Sequence, residues 1–246
     1  NSLAALDLAA DGRPCVRISN TEIGQGTNTV FAQIVGEVLG IPHEQVIVHV
    51  PDTAHVPDSG PTVASRTLMV VGGLIEKCAK KMKEKLELYA EHPIEGGGDF
   101  TRIAKRWLKE RGPLRVEQRY QKPTGIEWDD DTYRGDAYGV FAYAAIAVEV
   151  EVDLDTAETK LLHVTTAQDI GKAIHPVLCA GQIEGGVAQG LGQALSEEIV
   201  YGDGRVRNAN LTDYKMPTAM DMPRVECILV EQPSVNGPYG AKGVGE

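Results

Sequence analysis

His175-Pro176-Val177-Leu178-Cys179-Ala180-Gly181-Gln182-Ile183-Glu184-Gly185-Gly186-Val187-Ala188-Gln189-Gly190-Leu191-Gly192-Gln193-Ala194-Leu195 is the stretch on which the reading of the fold turns. Proline 176 suits a first helical turn, where its missing N–H costs nothing, and helical spacing continues from Val177 to Ile199. Glycines inside that helix each cost about 1 kcal/mol relative to alanine, so five of them need a reason. Close packing against another backbone or a large flat ligand supplies one. Gln182 and Gln189 lie seven apart and share a face, so both amides address the same ligand. The plainer alternative is a glycine-rich helix–helix contact with solvated glutamines.

Before this helix, Val140 to Val152 sets valines alternately against Glu149 and Glu151, and Asp153 to Glu158 turns that strand back into Lys160 to Thr166. Asp169-Ile170-Gly171 ends the hairpin. After it come a turn at Gly202-Asp203-Gly204, a polar loop at Asp213-Tyr214-Lys215-Met216-Pro217 and a strand from Val225 to Glu231. The chain closes on Gly237-Pro238-Tyr239-Gly240-Ala241-Lys242-Gly243-Val244-Gly245-Glu246. Its glycines permit close approach to another group. A glutamate at the end of such a turn, in a site that excludes water, has its pKa raised by desolvation and suits a general base. A flexible, solvated tail is the competing reading.

In the N-terminal half, Leu3 to Leu8, Asp11-Gly12 and Val16 to Ser19 read as a hairpin. Thr21 to Thr29 leads into a helix carried by Phe31, Ile34, Val35, Val38 and Leu39, with Asn28 or Thr29 expected as its cap and Gly40 as its stop. Gln25 therefore precedes a helix start, and Gly24 and Gly26 let the neighbouring amides face a ligand. A capped surface turn is the alternative. Gln45 to Val50 is a short strand, and Thr62-Val63-Ala64-Ser65-Arg66-Thr67 opens a long amphipathic helix running to Tyr89. Bare amides at helix N-termini bind anions, so these stretches suit a phosphorylated, polar cofactor. Between His92 and Tyr133 the sequence is polar: Gly96-Gly97-Gly98 marks a loop, Arg102 to Lys109 a basic helical turn or two, and Leu114 to Tyr120 a strand.

The chain of 246 residues, 42% hydrophobic, is long enough for a sizeable core, and its net charge of −11 argues against nucleic acid or an anionic membrane as partner. No apolar run approaches the roughly 20 residues of a membrane span. Cys15, Cys78, Cys179 and Cys227 are scattered and read as reduced core thiols of a cytoplasmic protein. The histidines show no ligand spacing, so a metal held directly by protein side chains is not expected. Gly24-Gln25-Gly26-Thr27 has no Walker lysine, which disfavours a nucleotide-binding module. The chain starts at Asn1 and stops within its most informative motif, so it is expected to be part of a longer polypeptide.

Taken in order, Gly24-Gln25-Gly26, Ser59-Gly60-Pro61-Thr62 with Ser65-Arg66, Gly181-Gln182 with Ala188-Gln189-Gly190, and Gly240 to Glu246 resemble the molybdopterin-binding large subunit of the xanthine oxidase family of molybdenum hydroxylases. Xanthine dehydrogenase, aldehyde oxidoreductase and nicotinate dehydrogenase belong to that family. The resemblance covers nearly the whole chain, with Asp213 to Pro217 falling between the last two motifs. It implies an α+β fold, the C-terminal lobe of the molybdopterin-binding domain, with mixed sheets and packed helices. It also implies one molybdopterin-binding region over 1–246, in two subdomains of about 1–135 and 136–246, as a fragment of a larger subunit.

The resemblance further implies roles. Gly24, Gln25, Gly26 and Thr27 match the loop that bonds the cofactor beside the metal. Thr62, Val63, Ala64, Ser65, Arg66 and Thr67 match the helix start near molybdenum and the pterin's phosphate. Gln182 or Gln189 bonds the pterin, and Lys242, Gly243 and Gly245 belong to the terminal cofactor-contacting turn. Glu246 matches the family's base, which takes a proton as oxygen is added to an electron-poor carbon. The metal is held by the pterin and not by protein. The implied cofactor is molybdenum-molybdopterin, including its cytosine dinucleotide form, with 2Fe-2S and FAD on partner domains or chains. Implied partners are the other molybdopterin-binding chain or the N-terminal half of the same subunit, the iron–sulfur and FAD subunits, and a small-molecule substrate, an N-heteroaromatic or an aldehyde. A non-catalytic cofactor-binding scaffold or assembly protein is the alternative.

Overall fold

The computed structural model describes residues 2–245. Helices and strands are mixed, as an α+β fold requires, and they gather into two compact units that interleave in sequence. Among the described residues, one unit takes 2–142, 170–175 and 231–243; the other takes 143–169, 176–230 and 244–245. The chain crosses between the units several times.

The first unit is built on a four-stranded sheet. Strand β1 (Leu3–Leu8) pairs antiparallel with β2 (Pro14–Arg17), Leu6 opposite Val16, across the Asp11-Gly12 turn. Gly12 there has φ +87°, a conformation that favours glycine. Helix α1 (Thr27–Leu39) follows, then β3 (Ile47–Val48), which lies parallel to β2. A π-helical turn, Thr67–Gly72, runs into α2 (Gly73–Ala90), and α3 (Gly96–Arg111) precedes β4 (Arg115–Arg119), which pairs with the other edge of β1. The sheet order is β3-β2-β1-β4.

Helical periodicity places Phe31, Ile34, Val35 and Leu39 of α1 and Leu74, Cys78, Met82 and Leu86 of α2 in one core with Leu6 and Val16 of the sheet. Lys77, Lys80 and Lys81 stay outside. A fully buried side chain such as Phe31 or Met82 stabilises by roughly 1.5–3 kcal/mol. Gly40 ends α1 with φ +68°, its N–H donating to the Gly36 carbonyl.

Three expectations fail in this unit, the first being the strand from Gln45 to Val50, which is cut down to Ile47–Val48 behind a 3-10 turn at His43–Gln45. Helix α1 begins at Thr27 with Gly26 as its cap, two or three residues before the expected Asn28 or Thr29 cap. The triple glycine 96–98 is not a loop but the first turn of the 16-residue α3, where the Asp99 carboxylate accepts from the Glu95 N–H at 3.1 Å and holds the helix start.

Past β4, two two-residue strands, β5 (Trp128–Asp129) and β6 (Arg134–Gly135), form a small hairpin. The second unit holds β7 (Ala144–Val152) antiparallel to β8 (Thr159–Asp169), with a register shift between Glu149 and Val150. Helix α4 (Pro176–Leu195) follows, then the short hairpin β9 (Tyr201–Gly202) and β10 (Arg205–Val206), and β11 (Arg224–Val230) returns parallel to β8. The parallel pairing is possible because α4 supplies the crossover. Helix α4 lies on the face of β11 that carries Cys227, whose Sγ is 3.9 Å from the Ala180 carbonyl. The β7 stripe of Ile146, Val148, Val150 and Val152 remains 45–56% exposed in this chain. None of the described helices is long and apolar enough to cross a membrane.

Candidate functional site

The loop before α1 is shaped by its own glycines. Gly24 and Gly26 have φ of +107° and +84°, and in these left-handed turns the amides of alternate residues converge. The sequence pattern offered those amides to a ligand. In the structure they go to Glu22: its Oε1 accepts from the Gly24 and Gly26 N–H groups, both at 2.9 Å, and its Oε2 from the Asn28 N–H at 3.0 Å and the Thr27 hydroxyl at 3.3 Å. Desolvation acts to raise the Glu22 carboxyl, but the donors from Asn28, Gly26, Gly24 and Thr27 outweigh it and hold it below the usual glutamate value. Sequence reasoning missed Glu22. The available signal was a carboxylate two residues ahead of a Gly-x-Gly that opens a helix.

The Gln25 side chain is fixed within the same loop. Its Oε1 accepts from the Ile23 N–H at 2.6 Å, while Nε2 donates to the Thr21 carbonyl at 3.0 Å and to Thr27 Oγ1 at 3.2 Å.

Thr62 brings the second stretch to the first. Its Oγ1 accepts from the Thr21 N–H at 3.1 Å and from Asn20 Nδ2 at 3.2 Å. Asn20 is 3% exposed, and its Oδ1 is buried without a donor. Ala64 and Ser65 take left-handed φ of 49° and 44°, conformations that cost a side-chain-bearing residue about 1–2 kcal/mol. Such local strain gathers at functional sites. Arg66 ties the stretch down, donating to Ser2 Oγ at 2.6 Å and the Pro61 carbonyl at 2.8 Å; burial pushes its pKa down. Val63 is exposed, and Thr67 is buried at the start of the π-helical turn.

The terminal segment reaches the same place. A Cβ at Gly243 would lie 3.0 Å from Ser65 Cβ, so only glycine permits that approach without movement. Lys242 is held by its N–H on the Ile170 carbonyl at 2.9 Å. Gly24 to Thr27, Thr62 to Thr67 and Lys242-Gly243 thus belong to one unit and are linked by Thr62 and Ser65.

In the second unit the glycines of α4 divide into two kinds. Gly186 would place a Cβ 3.0 Å from the Gly245 carbonyl, and Gly245, with φ +91°, sits 3.1 Å from Gln182 Cβ on the same measure. Gly192 accommodates Glu197 and Pro217, and Tyr214 donates its hydroxyl proton to Glu197. These glycines allow close approach. Gly181, Gly185 and Gly190, in contrast, would each gain a Cβ that meets no atom within 4 Å. Gly190 lines an open groove of about 440 Å³ with Gln168, Gln189, Gln193, Ile146 and Gly245. Gln189 lines that groove, and half-buried Gln182 packs against Gly245, another residue of its lining. Glu246 lies outside the described residues.

The groove of the second unit suits a large, flat, polar heterocycle. The groove has a glycine floor that a Cβ would fill, apolar walls for a ring and three amide side chains that both donate and accept. In the first unit, Asn20 Oδ1 beside Thr62 is buried without a donor. Among the described residues no group of three His, Cys, Asp or Glu side chains comes together to hold a metal ion.

Comparison with known proteins gives the family. Residues 1–223 match the family described as the molybdopterin cofactor-binding domain. The chain is 34% identical, over 98% of its length, to a probable xanthine dehydrogenase subunit of Bacillus subtilis (strain 168), and 32% identical, again over 98%, to the 6-hydroxypseudooxynicotine dehydrogenase complex subunit gamma of Paenarthrobacter nicotinovorans. It spans about a third of the length of these curated relatives, 34% and 32% respectively. Among solved structures it is similar to quinoline 2-oxidoreductase from Pseudomonas putida 86, with a TM-score of 0.82 and 27% identity over 99% of this chain and 33% of that one. The aldehyde oxidoreductase of Desulfovibrio gigas gives a TM-score of 0.83 and 27% identity over 100% of this chain and 26% of that one. The chain belongs to the molybdopterin cofactor-binding domain family of the xanthine oxidase-type molybdenum hydroxylases.

Proposed function

We propose that this chain is a piece of the large subunit of a molybdenum hydroxylase, that it holds molybdopterin, and that it supplies the catalytic base Glu246. The reading rests most on one observation: the glycine-floored groove with its three glutamine amides, in a chain whose family is defined by molybdopterin binding. Gly24, Gln25, Gly26, Thr27, Thr62 to Thr67, Lys242 and Gly243 in one unit, and Gln182, Gln189 and Gly245 in the other, are the residues assigned to cofactor contacts. When bound, the cofactor supplies the two-electron redox chemistry.

The chain's own residues do the positioning and the proton work. Gln189 carries both a donor and an acceptor to the groove, so it can fix the orientation of a ring that has both. Open Gly190 leaves room for that ring. Glu246 directly follows Gly245, and its carboxylate is assigned to accept the proton released as a water-derived oxygen is added to the substrate. The substrate class is an N-heteroaromatic or an aldehyde, both represented among the similar proteins. Electrons leave to iron–sulfur and FAD partners, and the rest of the molybdopterin-binding subunit comes from the same or another chain. Both curated relatives are named as subunits, one of them of a dehydrogenase complex, which supports a multi-chain assembly.

The test is the native complex. Molybdenum and released pterin are expected at about one per copy of this chain, and a complex isolated under mild conditions without either overturns the reading. In the loaded complex, Glu246→Gln is expected to lower kcat by about 100-fold or more with cofactor content unchanged, and near-normal turnover removes the base assignment.

A further inference from the structure

Glu22 is assigned no contact with the cofactor, yet it is the most heavily bonded carboxylate in the loop before α1. It accepts from three main-chain amides and one hydroxyl, which saturates the four lone-pair sites of a carboxylate. Two of those amides belong to Gly24 and Gly26, whose left-handed turns aim them at a single point. An anion bound there by three converging N–H groups is what a nest at a helix N-terminus recruits from solution. Here the chain supplies that anion itself, from four to six residues upstream of Gly26 and Asn28.

At the head of α1 the Gly26 and Asn28 amides are committed to Glu22, whose negative charge stands where an incoming phosphate would bind. The loop is also shaped before any ligand arrives, because Glu22 bonds Gly24 and Gly26 on both sides of Gln25 and also bonds Thr27, which receives a bond from Gln25 Nε2. Loss of one anchor would free the backbone around Gln25 as well as the helix cap, and the cost of reordering it would fall on binding.

We propose that Glu22 is a positioning residue: an internal anion that fixes the Gly24-Gln25-Gly26 loop in its binding shape and excludes an external anion from the head of α1. The inference rests on the proposed cofactor-binding role of that loop. Glu22 acts through the loop, and no contact between it and the cofactor is needed.

The experiment compares Glu22→Gln with Gly40→Ala in the native complex. Gly40 caps the opposite end of α1 at φ +68°, and a Cβ there would meet nothing nearer than 3.9 Å, so this control strains the same helix without touching the loop. The readouts are molybdenum and pterin retained per chain, hydrogen exchange of residues 23–28 after cofactor removal, and melting temperature. Replacing the carboxylate by an amide leaves one oxygen for four donors and sets an NH2 group against N–H groups. Hydrogen bonds to charged groups are strong enough that cofactor retention is expected to fall about tenfold and exchange over 23–28 to rise about as much. Gly40→Ala is expected to lower the melting temperature and keep the cofactor.

Wild-type cofactor retention and exchange in Glu22→Gln overturn the proposal. Equal cofactor loss in Gly40→Ala at a matched melting temperature overturns it as well, because helix stability alone then accounts for the effect. If Glu22→Gln does not assemble, Glu22→Asp decides in its place: its charge is kept but its reach is one methylene shorter, so loss beyond that of Gly40→Ala supports positioning and parity with Gly40→Ala overturns it. A wild-type complex without pterin overturns the proposed function and this inference with it.

Discussion

The loop before α1 and the helix α4 are both rich in glycine, and they use it in opposite ways. At Gly24 and Gly26 the backbone takes φ of +107° and +84°, so glycine is there for its torsion angles and the space around Gly24 is empty. Along α4 the backbone is helical, so the torsions suit any residue. There glycine acts through what its missing side chain leaves open: contact with Gly245 at Gly186, with Glu197 and Pro217 at Gly192, and open surface at Gly190. A glycine count marks both stretches alike. Only conformation and surroundings separate a residue that cannot be replaced from one whose replacement helps folding and harms binding.

The sharpest way to break this contrast is Gly26→Val. A branched side chain at φ +84° is strained whatever the space, and the same position caps α1 and donates to Glu22. The expected cost is about 1–2 kcal/mol, and a chain of this size loses roughly 2–4 °C of melting temperature per kcal/mol. Thermal unfolding measures it. An unchanged melting temperature would show that the loop relaxes and that its left-handed turns are not required.

Gly190→Ala runs the other way. Its Cβ meets no protein atom, and alanine is favoured over glycine within a helix by about 1 kcal/mol, so the chain is expected to become more stable by up to that amount. The same methyl projects into the groove lined by Gln189 and Gln168, so pterin content of the complex is expected to fall. Greater stability with less cofactor sharpens the comparison. Lower stability would place Gly190 with Gly186 and Gly192 as a packing glycine.

Much of the fold was legible in the sequence because most elements are specified locally. The β1–β2 hairpin follows from Asp11-Gly12, the end of α1 from Gly40, and α4 from Pro176 and its helical spacing. Legibility failed where an end is held from a distance. Asn28 and Thr29 are expected caps of α1 because their side chains can cap locally, whereas the donors are taken by Glu22, reached only once the loop has folded back. The start of α3 reads as loop because three glycines mask a helix that Asp99 secures. In the candidate site, Gly24-Gln25-Gly26 and the Thr62–Thr67 stretch were legible as motifs. The Thr21–Thr62 bond and the approach of Gly243 to Ser65 join residues about 40 and 180 apart in sequence, and no pattern of spacing reports them.

The smallest effect tests the electrostatics of the loop. Glu22 is held below its ordinary value of 4.5: burial would raise it, and the amide and hydroxyl donors more than offset that. Because the folded pKa is the lower one, its contribution to stability is fully present above about pH 4.5 and is lost as pH falls through the folded value. Glu22→Gln has no such titration. The melting temperature of the wild-type chain minus that of Glu22→Gln should therefore be level from pH 7 to about pH 5 and shrink below about 4.5, while carboxylates elsewhere, such as Asp99, cancel in the difference. A difference that stays level through pH 3 would mean that the carboxylate's charge does not stabilise the loop. The carboxyl would then order the loop no better charged than protonated, and the contrast between the two glycine-rich regions would rest on torsion and space alone.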